Sequence, residues 1–108
     1  MPKLKYSECM TTMRGTCEIL IDNQIVVGGS SFCTILDSIN GTMTLTPELA
    51  GKLWIVEKIE GKHLYLKLHS YGKVYNGRII ITSPPPPMGK EPTTRVNFEV
   101  SEELKEVE

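Results

Sequence analysis

The sequence predicts an all-β fold, a small antiparallel barrel or sandwich of about seven or eight short strands with one or two short helices. Short apolar runs rich in β-branched residues recur along the chain, and such runs favour strands. Turn-forming pairs separate these runs, among them Asp22-Asn23, Asn40-Gly41 and Tyr71-Gly72. Polar and apolar side chains alternate along residues 63–70, HLYLKLHS, with the period of two that a half-buried strand requires.

The length and composition are those of one globular domain spanning residues 1–108. No run of about eighteen apolar residues occurs, and no apolar segment follows the basic residues of the N-terminus, so we expect neither a membrane span nor a secretory signal. Three cysteines, Cys9, Cys17 and Cys33, are an odd number. They favour reduced thiols in the cytoplasm over a complete disulfide framework, although one pair could still bridge.

The first half of the chain predicts two β-hairpins after an irregular lead-in over residues 1–15. Asp22-Asn23 and Asn40-Gly41 are the expected hairpin turns. Gly28-Gly29-Ser30 is expected to separate two strands, because glycine weakens a strand interior. The strands around these breaks are predicted over residues 17–21, 24–27, 31–36 and 42–45.

A short helix is expected over residues 46–53. Thr46 is a suitable N-cap, Pro47 fits the first helical position, and Glu48 suits the positive end of the helix dipole. The apolar and β-branched residues of WIVEKI, 54–59, then favour a return to strand.

The second half of the chain predicts a β-meander that ends in an acidic tail. Four consecutive prolines mark residues 83–92 as a loop, because proline cannot donate a ladder hydrogen bond. Asn76-Gly77 is read as either a turn or a bulge. In the tail, 101–108, Ser101 is a candidate cap for a short helix, and a frayed end is the alternative. The remaining strands are predicted over residues 62–70, 73–82 and 94–100.

Charge is unevenly distributed along the sequence, although the net charge is only −1. Residues 61–90 contain five basic and no acidic side chains, whereas residues 91–108 contain two basic and six acidic ones. A local basic cluster favours an anionic partner, while the overall charge indicates none.

The basic cluster coincides with the most regular strand. Odd-numbered positions from His63 to Tyr75 carry only rings and ammonium groups, and Leu64, Leu66 and Leu68 alternate with them. If the alternation continues, one sheet face buries leucine and the other is basic and aromatic. With Lys62 and Arg78 at its rim, this face gives the candidate ligand-binding residues: Lys62, His63, Tyr65, Lys67, His69, Tyr71, Lys73, Tyr75 and Arg78.

Catalytic and metal chemistry find little support in the sequence. No nucleophile motif, phosphate loop or paired carboxylate occurs, so no catalytic residue or cofactor is assigned and the protein is expected not to be an enzyme. His63 and His69 are roughly 20 Å apart on a strand, too far to share one metal ion. The cysteines lack a Cys-x-x-Cys step, and Cys33 is interpreted as a small buried apolar residue.

These observations predict a non-enzymatic binding module whose basic, aromatic sheet face takes an anionic ligand, with nucleic acid the first choice. The alternative is a protein-interaction or assembly subunit, such as a homo-oligomer, that uses exposed strands and tyrosines. In either case, the acidic tail from Glu99 to Glu108 could fold back over the basic face and compete with a ligand.

Overall fold

The structure, a computed structural model, describes residues 12–86 and 90–107. Seven strands and one short helix lie within these residues, as the all-β prediction requires. The strands are β1 Thr12–Ile21, β2 Gln24–Leu36, β3 Asn40–Leu45, β4 Leu64–Ser70, β5 Lys73–Ile81, β6 Thr94–Val100 and β7 Lys105–Val107, and helix α1 spans Pro47–Trp54.

Six of the strands close into an antiparallel barrel, which decides between the two predicted architectures. The order around the barrel is β4-β1-β2-β3-β6-β5, and β5 pairs with β4 to complete the ring. Strand β7 lies outside the ring and pairs with β5 alone. Closure leaves the six-stranded ring without a first or last strand, so its backbone groups are largely paired with neighbours.

Alternate side chains of the strands fill the barrel. Leu64, Leu66 and Leu68 of β4 are almost completely buried, together with Ile19 of β1 and Phe98 of β6. Burial of each such side chain contributes about 1.5–3 kcal/mol relative to exposure, so this apolar filling is the main source of stability.

Two hairpin turns are where the sequence predicts them. Asp22 and Asn23 have φ angles of 53° and 65°, and Tyr71 and Gly72 have 54° and 74°. Positive φ at both central residues is the type I′ geometry, whose twist matches that of paired strands.

The predicted turn at Asn40-Gly41 is wrong, because both residues begin β3. The chain reverses over residues 37–39, where Asp37 and Ser38 have positive φ and the Ile39 N–H donates to the Leu36 carbonyl at 3.0 Å. Gly41 serves packing: a Cβ there would lie 2.1 Å from the Phe98 ring. Glycine therefore occurs inside this strand because an aromatic ring covers its Cα.

Helix α1 begins as predicted. The Thr46 hydroxyl accepts a hydrogen bond from the Leu49 N–H at 3.2 Å, and Pro47 occupies the first helical position.

The predicted strand over residues 54–59 is wrong, because Trp54 ends α1 and Ile55–Ile59 continue it as a π-helical turn. Ala50, Leu53 and Val56 form a buried stripe at helical spacing, which overrides the β-propensity of isoleucine and valine. The Glu57 carboxylate also accepts a hydrogen bond from the Ile81 N–H of β5 at 3.0 Å. The segment is thereby held across one end of the barrel.

Three further boundaries differ from the predictions. Residues 12–15 belong to β1 and not to the irregular lead-in, whose residues 1–11 lie outside the described part of the chain. Gly28-Gly29-Ser30 does not divide two strands, because it forms a bulge inside the single long strand β2. The tail forms β7 and not a helix. In each case strand pairing with a neighbour outweighs the local preference of the sequence.

Within the described residues, no helix combines the length and the apolar character needed to cross a bilayer.

We predict that Gly41→Ala destabilises the barrel by about 1–3 kcal/mol, because the new methyl group overlaps the Phe98 ring in a packed core. Chemical denaturation measures this loss. The matched control is Gly28→Ala, since a Cβ at Gly28 meets nothing within 4 Å. Equal stability of the two variants would contradict the proposed packing role.

Candidate ligand-binding face

Strand β4 has the two faces that the sequence predicts. Its three leucines point into the barrel, and Tyr65, Lys67 and His69 point outward. Tyr65 is 44% exposed, which is high for an aromatic side chain. The strand therefore presents a ring, an ammonium group and an imidazole in one outward row.

The predicted face does not continue to Tyr75. The two-residue turn pairs odd-numbered residues with even-numbered ones, so Lys67 faces Asn76 and Leu68 faces Tyr75. Directly paired residues share a side of the sheet. Tyr75 consequently lies on the inner side with the leucines, and it packs half-buried against the core.

The structure therefore divides the nine predicted residues into two groups. Lys73 and Tyr75 lie on the inner side of β5, and Tyr71 lies in the turn, 78% exposed, where its hydroxyl is 3.4 Å from the Thr12 carbonyl. The other six form one outer group. Lys62 and His63 are exposed in the loop that precedes β4, and the rest are on the barrel surface: Tyr65, Lys67, His69 and Arg78.

We call the outward residues of β4 and their direct neighbours the β4 face. In one row Tyr65 lies between Leu20 of β1 and Arg78 of β5. In the next row Lys67 lies between Glu18 and Asn76. In the third row His69 lies between Thr16 and Val74. The β4 face thus consists of Thr16, Glu18, Leu20, Tyr65, Lys67, His69, Val74, Asn76 and Arg78.

Acidic side chains from distant segments reduce the positive charge of the region. His69 Nε2 lies 3.2 Å from a Glu18 carboxylate oxygen, on the neighbouring strand β1. Lys73 Nζ, on the other side of β5, lies 3.5 Å from Glu106 in the tail. The charge of the folded surface is therefore lower than the composition of residues 61–90 suggests.

Lys62 is held at the end of the β4 face by the first hairpin turn. Its ammonium group donates a hydrogen bond to Asp22 at 3.0 Å, and this bond raises the pKa of Lys62 above its ordinary value. Lys62 therefore stays charged over the whole neutral range, but its charge is already shared with a carboxylate.

Arg78 has one side-chain nitrogen without a hydrogen-bond partner in the described part of the chain. Its Nε is a buried side-chain nitrogen that has no hydrogen-bond acceptor among the residues that the structure describes. A buried N–H without an acceptor costs about 1–3 kcal/mol, so this group lowers the stability of the fold. A ligand could supply an acceptor to this Nε only if the Arg78 side chain turned toward solvent.

A shallow groove lies beside Arg78. Its volume is about 680 Å³, and its walls are outward residues of β4 and β5 on one side and the tail on the other. Tyr65 lines this groove and also two adjoining grooves along the strand. A ligand lying along β4 would therefore contact this ring wherever it crossed the strand. The residues that line the groove are Tyr65, Asn76, Gly77, Arg78, Glu102, Glu103, Lys105 and Val107.

Two members of the site were missed by sequence reasoning. Asn76 can be found by counting across the two-residue turn, because the turn length fixes which residues pair. Lys105 cannot be found that way, because it reaches the groove only through the pairing of β7 with β5.

The thiols of Cys17 and Cys33 are buried, free and close together. Cys33 of β2 pairs with Gly15 of β1, and Cys17 of β1 pairs with Ser31 of β2. Cys17 and Cys33 therefore lie diagonally across the two strands, on the inner side of the barrel. A hydrogen bond to Cys17, together with burial, raises the pKa of Cys33. Cys33 is therefore the small buried apolar residue that the sequence predicts, and it stays protonated.

Metal-binding geometry is not found in the described part of the chain, where no three His, Cys, Asp or Glu side chains converge. Comparisons with protein families, curated proteins and solved structures find no match to this chain. The physical arrangement of the β4 face is thus the basis for a functional conclusion.

We predict that Cys17 and Cys33 react with a thiol reagent only through unfolding, because both are fully buried. With a stability typical of a small domain, labelling of the native protein should be at least ~10³-fold slower than labelling in denaturant. The measurement uses a Cys9→Ser variant, so that only these two thiols are counted. Rapid labelling under native conditions would contradict their burial.

Proposed function

We propose that this protein is a non-enzymatic binding module that holds an extended anionic ligand, with single-stranded nucleic acid as the first choice, on the β4 face. The observation that carries the proposal is the row in which an exposed Tyr65 lies directly beside Arg78, whose buried Nε has no acceptor in residues 12–86 and 90–107. A ring for stacking next to a cation for phosphate is the minimal arrangement of a single-strand binding surface.

Each group on the face has a role in this proposal. The Tyr65 ring offers a base or another flat group a stacking surface on the outside of the barrel. Lys67 and Arg78 lie in adjacent rows and provide positive charge for phosphate oxygens. Asn76, beside Lys67, can donate and accept hydrogen bonds at base edges. Lys62 and His63 extend the surface beyond the start of β4.

The charge pattern supports weak, salt-sensitive binding. Asp22 already neutralises part of the charge of Lys62, and Glu18 places a carboxylate beside Lys67 and His69. With two or three cations left to contact phosphates, the logarithm of the affinity should fall with the logarithm of salt concentration with a slope of about −1.4 to −2.1. A module of this kind acts best beside other binding sites, where a high local concentration compensates for modest affinity.

We predict that Tyr65→Ala weakens binding to a single-stranded oligonucleotide by about 1–3 kcal/mol, since each stacked base contributes that much. Lys67→Glu should weaken it by about tenfold or more at low salt, because the change replaces a cation with an anion at the centre of the face. Fluorescence anisotropy at two salt concentrations measures both effects.

The matched control for Lys67→Glu is Lys52→Glu, which makes the same charge change on the exposed surface of α1. Circular dichroism checks that all three variants are folded. If the unaltered protein binds neither oligonucleotide nor heparin at low salt, or if Lys52→Glu and Lys67→Glu weaken binding equally, the β4 face is not the site.

We predict that the double change Glu102→Gln and Glu103→Gln raises oligonucleotide affinity on the order of two- to fivefold at low salt. Both carboxylates line the groove beside Arg78, where they repel an anion, and exposed charges contribute about 0.2–1 kcal/mol each. The gain should disappear at high salt because the repulsion is screened. A gain that survives at high salt would indicate a cause other than charge.

A further inference from the structure

The C-terminal segment occupies an edge of β5 that the barrel leaves open. Strand β6 pairs with β5 at Ile79–Ile81, and β7 then pairs with the same side of β5 at Val74–Asn76. On β5 the two pairings are separated by two residues, 77 and 78. On the tail they are separated by four residues, 101–104, so the tail has two extra residues there. These four residues bulge out, and β7 resumes the direction of β6. Within the part of the chain that the structure describes, the edge of β5 beyond β6 is therefore covered only by a strand of three residues.

The bulge places the Leu104 side chain against Gly77. Because glycine has no side chain, it leaves an apolar site that Leu104 occupies, and we call this the Gly77 site. A Cβ at position 77 would lie 2.6 Å from Leu104 Cδ2 and 3.3 Å from the Glu102 carbonyl oxygen. Leu104 packs half-buried against the core, and on its other side Met13, Tyr71 and Tyr75 contribute to a groove of about 570 Å³. Gly77 is thus neither a turn nor a bulge, because it lies within β5 and makes room for an apolar side chain from outside the barrel.

Charge adds a second point of recognition. Lys73 Nζ lies 3.5 Å from Glu106, and Glu106 pairs with Tyr75 in the strand register. Leu104 and Glu106 are two positions apart. Gly77 leaves room for the apolar side chain of Leu104, and Lys73 pairs with the acidic side chain of Glu106. The edge therefore holds an apolar residue of the tail followed two positions later by an acidic one.

The segment that occupies this edge is weakly held. All three residues of β7 are exposed, and among the described strands β7 pairs only with β5. Ser101 anchors the start of the bulge, with its N–H donating to the Arg78 carbonyl at 2.8 Å. The six-stranded ring closes without β7, so its release would expose the edge while leaving the barrel intact.

We propose that the edge of β5 from Lys73 to Gly77 is a docking site for an extended peptide of a partner protein, with a leucine-sized residue and an acidic residue two positions after it. Residues 104–107 of the same chain occupy this site in the structure, in the position that we propose for the partner peptide. The added peptide strand forms main-chain hydrogen bonds with β5. The contacts at Gly77 and Lys73 select peptides that carry the apolar and the acidic residue at the right spacing.

This site adjoins the β4 face and shares Asn76 with it, but the two use different groups. The proposed nucleic-acid contacts point outward from the barrel, whereas the peptide site uses the backbone edge of β5 and its inner-side residues Lys73, Tyr75 and Gly77. It therefore goes beyond the proposed function and does not depend on it. Covalent attachment gives the tail an effective concentration in the millimolar range, so a partner peptide must displace it.

The test uses the full chain labelled with ¹⁵N and a synthetic peptide with the sequence of residues 101–108. Leu104→Asp in the protein removes the apolar side chain with which its own tail contacts Gly77. Gly77 itself is unchanged and remains available to the added peptide. We expect the peptide to shift the amide resonances of residues 73–77 in this variant. Binding to the unaltered protein should be at least ~10-fold weaker because its tail competes.

Three controls define the site. A peptide with alanine in place of leucine should bind at least ~10-fold more weakly, since alanine is too short to fill the space beside Gly77. Lys73→Glu, combined with Leu104→Asp, should weaken binding of the original peptide, whereas Lys52→Glu in the same background should not. Leu104→Ala provides a milder release of the tail if Leu104→Asp fails to fold, and the same ordering of affinities is expected.

The proposal is overturned if the peptide binds neither Leu104 variant at millimolar concentration, or if it shifts the resonances of Tyr65 and Lys67 in place of those of residues 73–77. Equal binding of the leucine and alanine peptides also overturns it. A dimer of the unaltered chain in light scattering that Leu104→Asp converts to monomer would identify the occupant as a second copy, contrary to the proposal. Oligonucleotide binding without peptide binding would leave the proposed function standing.

Discussion

The buried leucine row of β4 is the constraint on which the rest of the structure depends. Strand β4 pairs with β1 on one side and with β5 on the other, so it is the strand through which the barrel closes. Leu64, Leu66 and Leu68 fix which side of the strand faces inward, because a shift of one residue would expose all three. The outward row of Tyr65, Lys67 and His69 follows directly from that choice.

Pairing then carries the orientation of β4 to its neighbours. Arg78 and Asn76 point outward because they lie opposite Tyr65 and Lys67, and Glu18 reaches His69 for the same reason. The core and the candidate surface are therefore two sides of one arrangement. A change in the leucine row would affect the outward groups even though it does not touch them.

Sequence reasoning succeeded where the determining contacts are local. The alternation in β4 and the positive-φ turns at Asp22-Asn23 and Tyr71-Gly72 are properties of a few adjacent residues. It failed for residues 54–59, whose apolar positions fit a strand and a helix about equally well, and where burial of Val56 in line with Ala50 and Leu53 favours the helix. The error at Tyr75 was avoidable, because a two-residue turn reverses the odd-even correspondence between paired residues. The carboxylates that neutralise the basic residues come from strands distant in sequence, and composition alone does not reveal them.

The barrel closes through residues that are far apart in the chain, and this has a consequence for the speed of folding. Glu18 and His69 are 51 residues apart and meet across β1 and β4, while Thr42 and Asn97 are 55 apart and meet across β3 and β6. Such contacts require long loops to close before they bring any stabilisation, so barrels of this kind fold in milliseconds to seconds, whereas helical bundles need only microseconds to milliseconds. During that interval the unpaired strands are open to aggregation, and a nascent chain can complete the ring only after the ribosome has released β6.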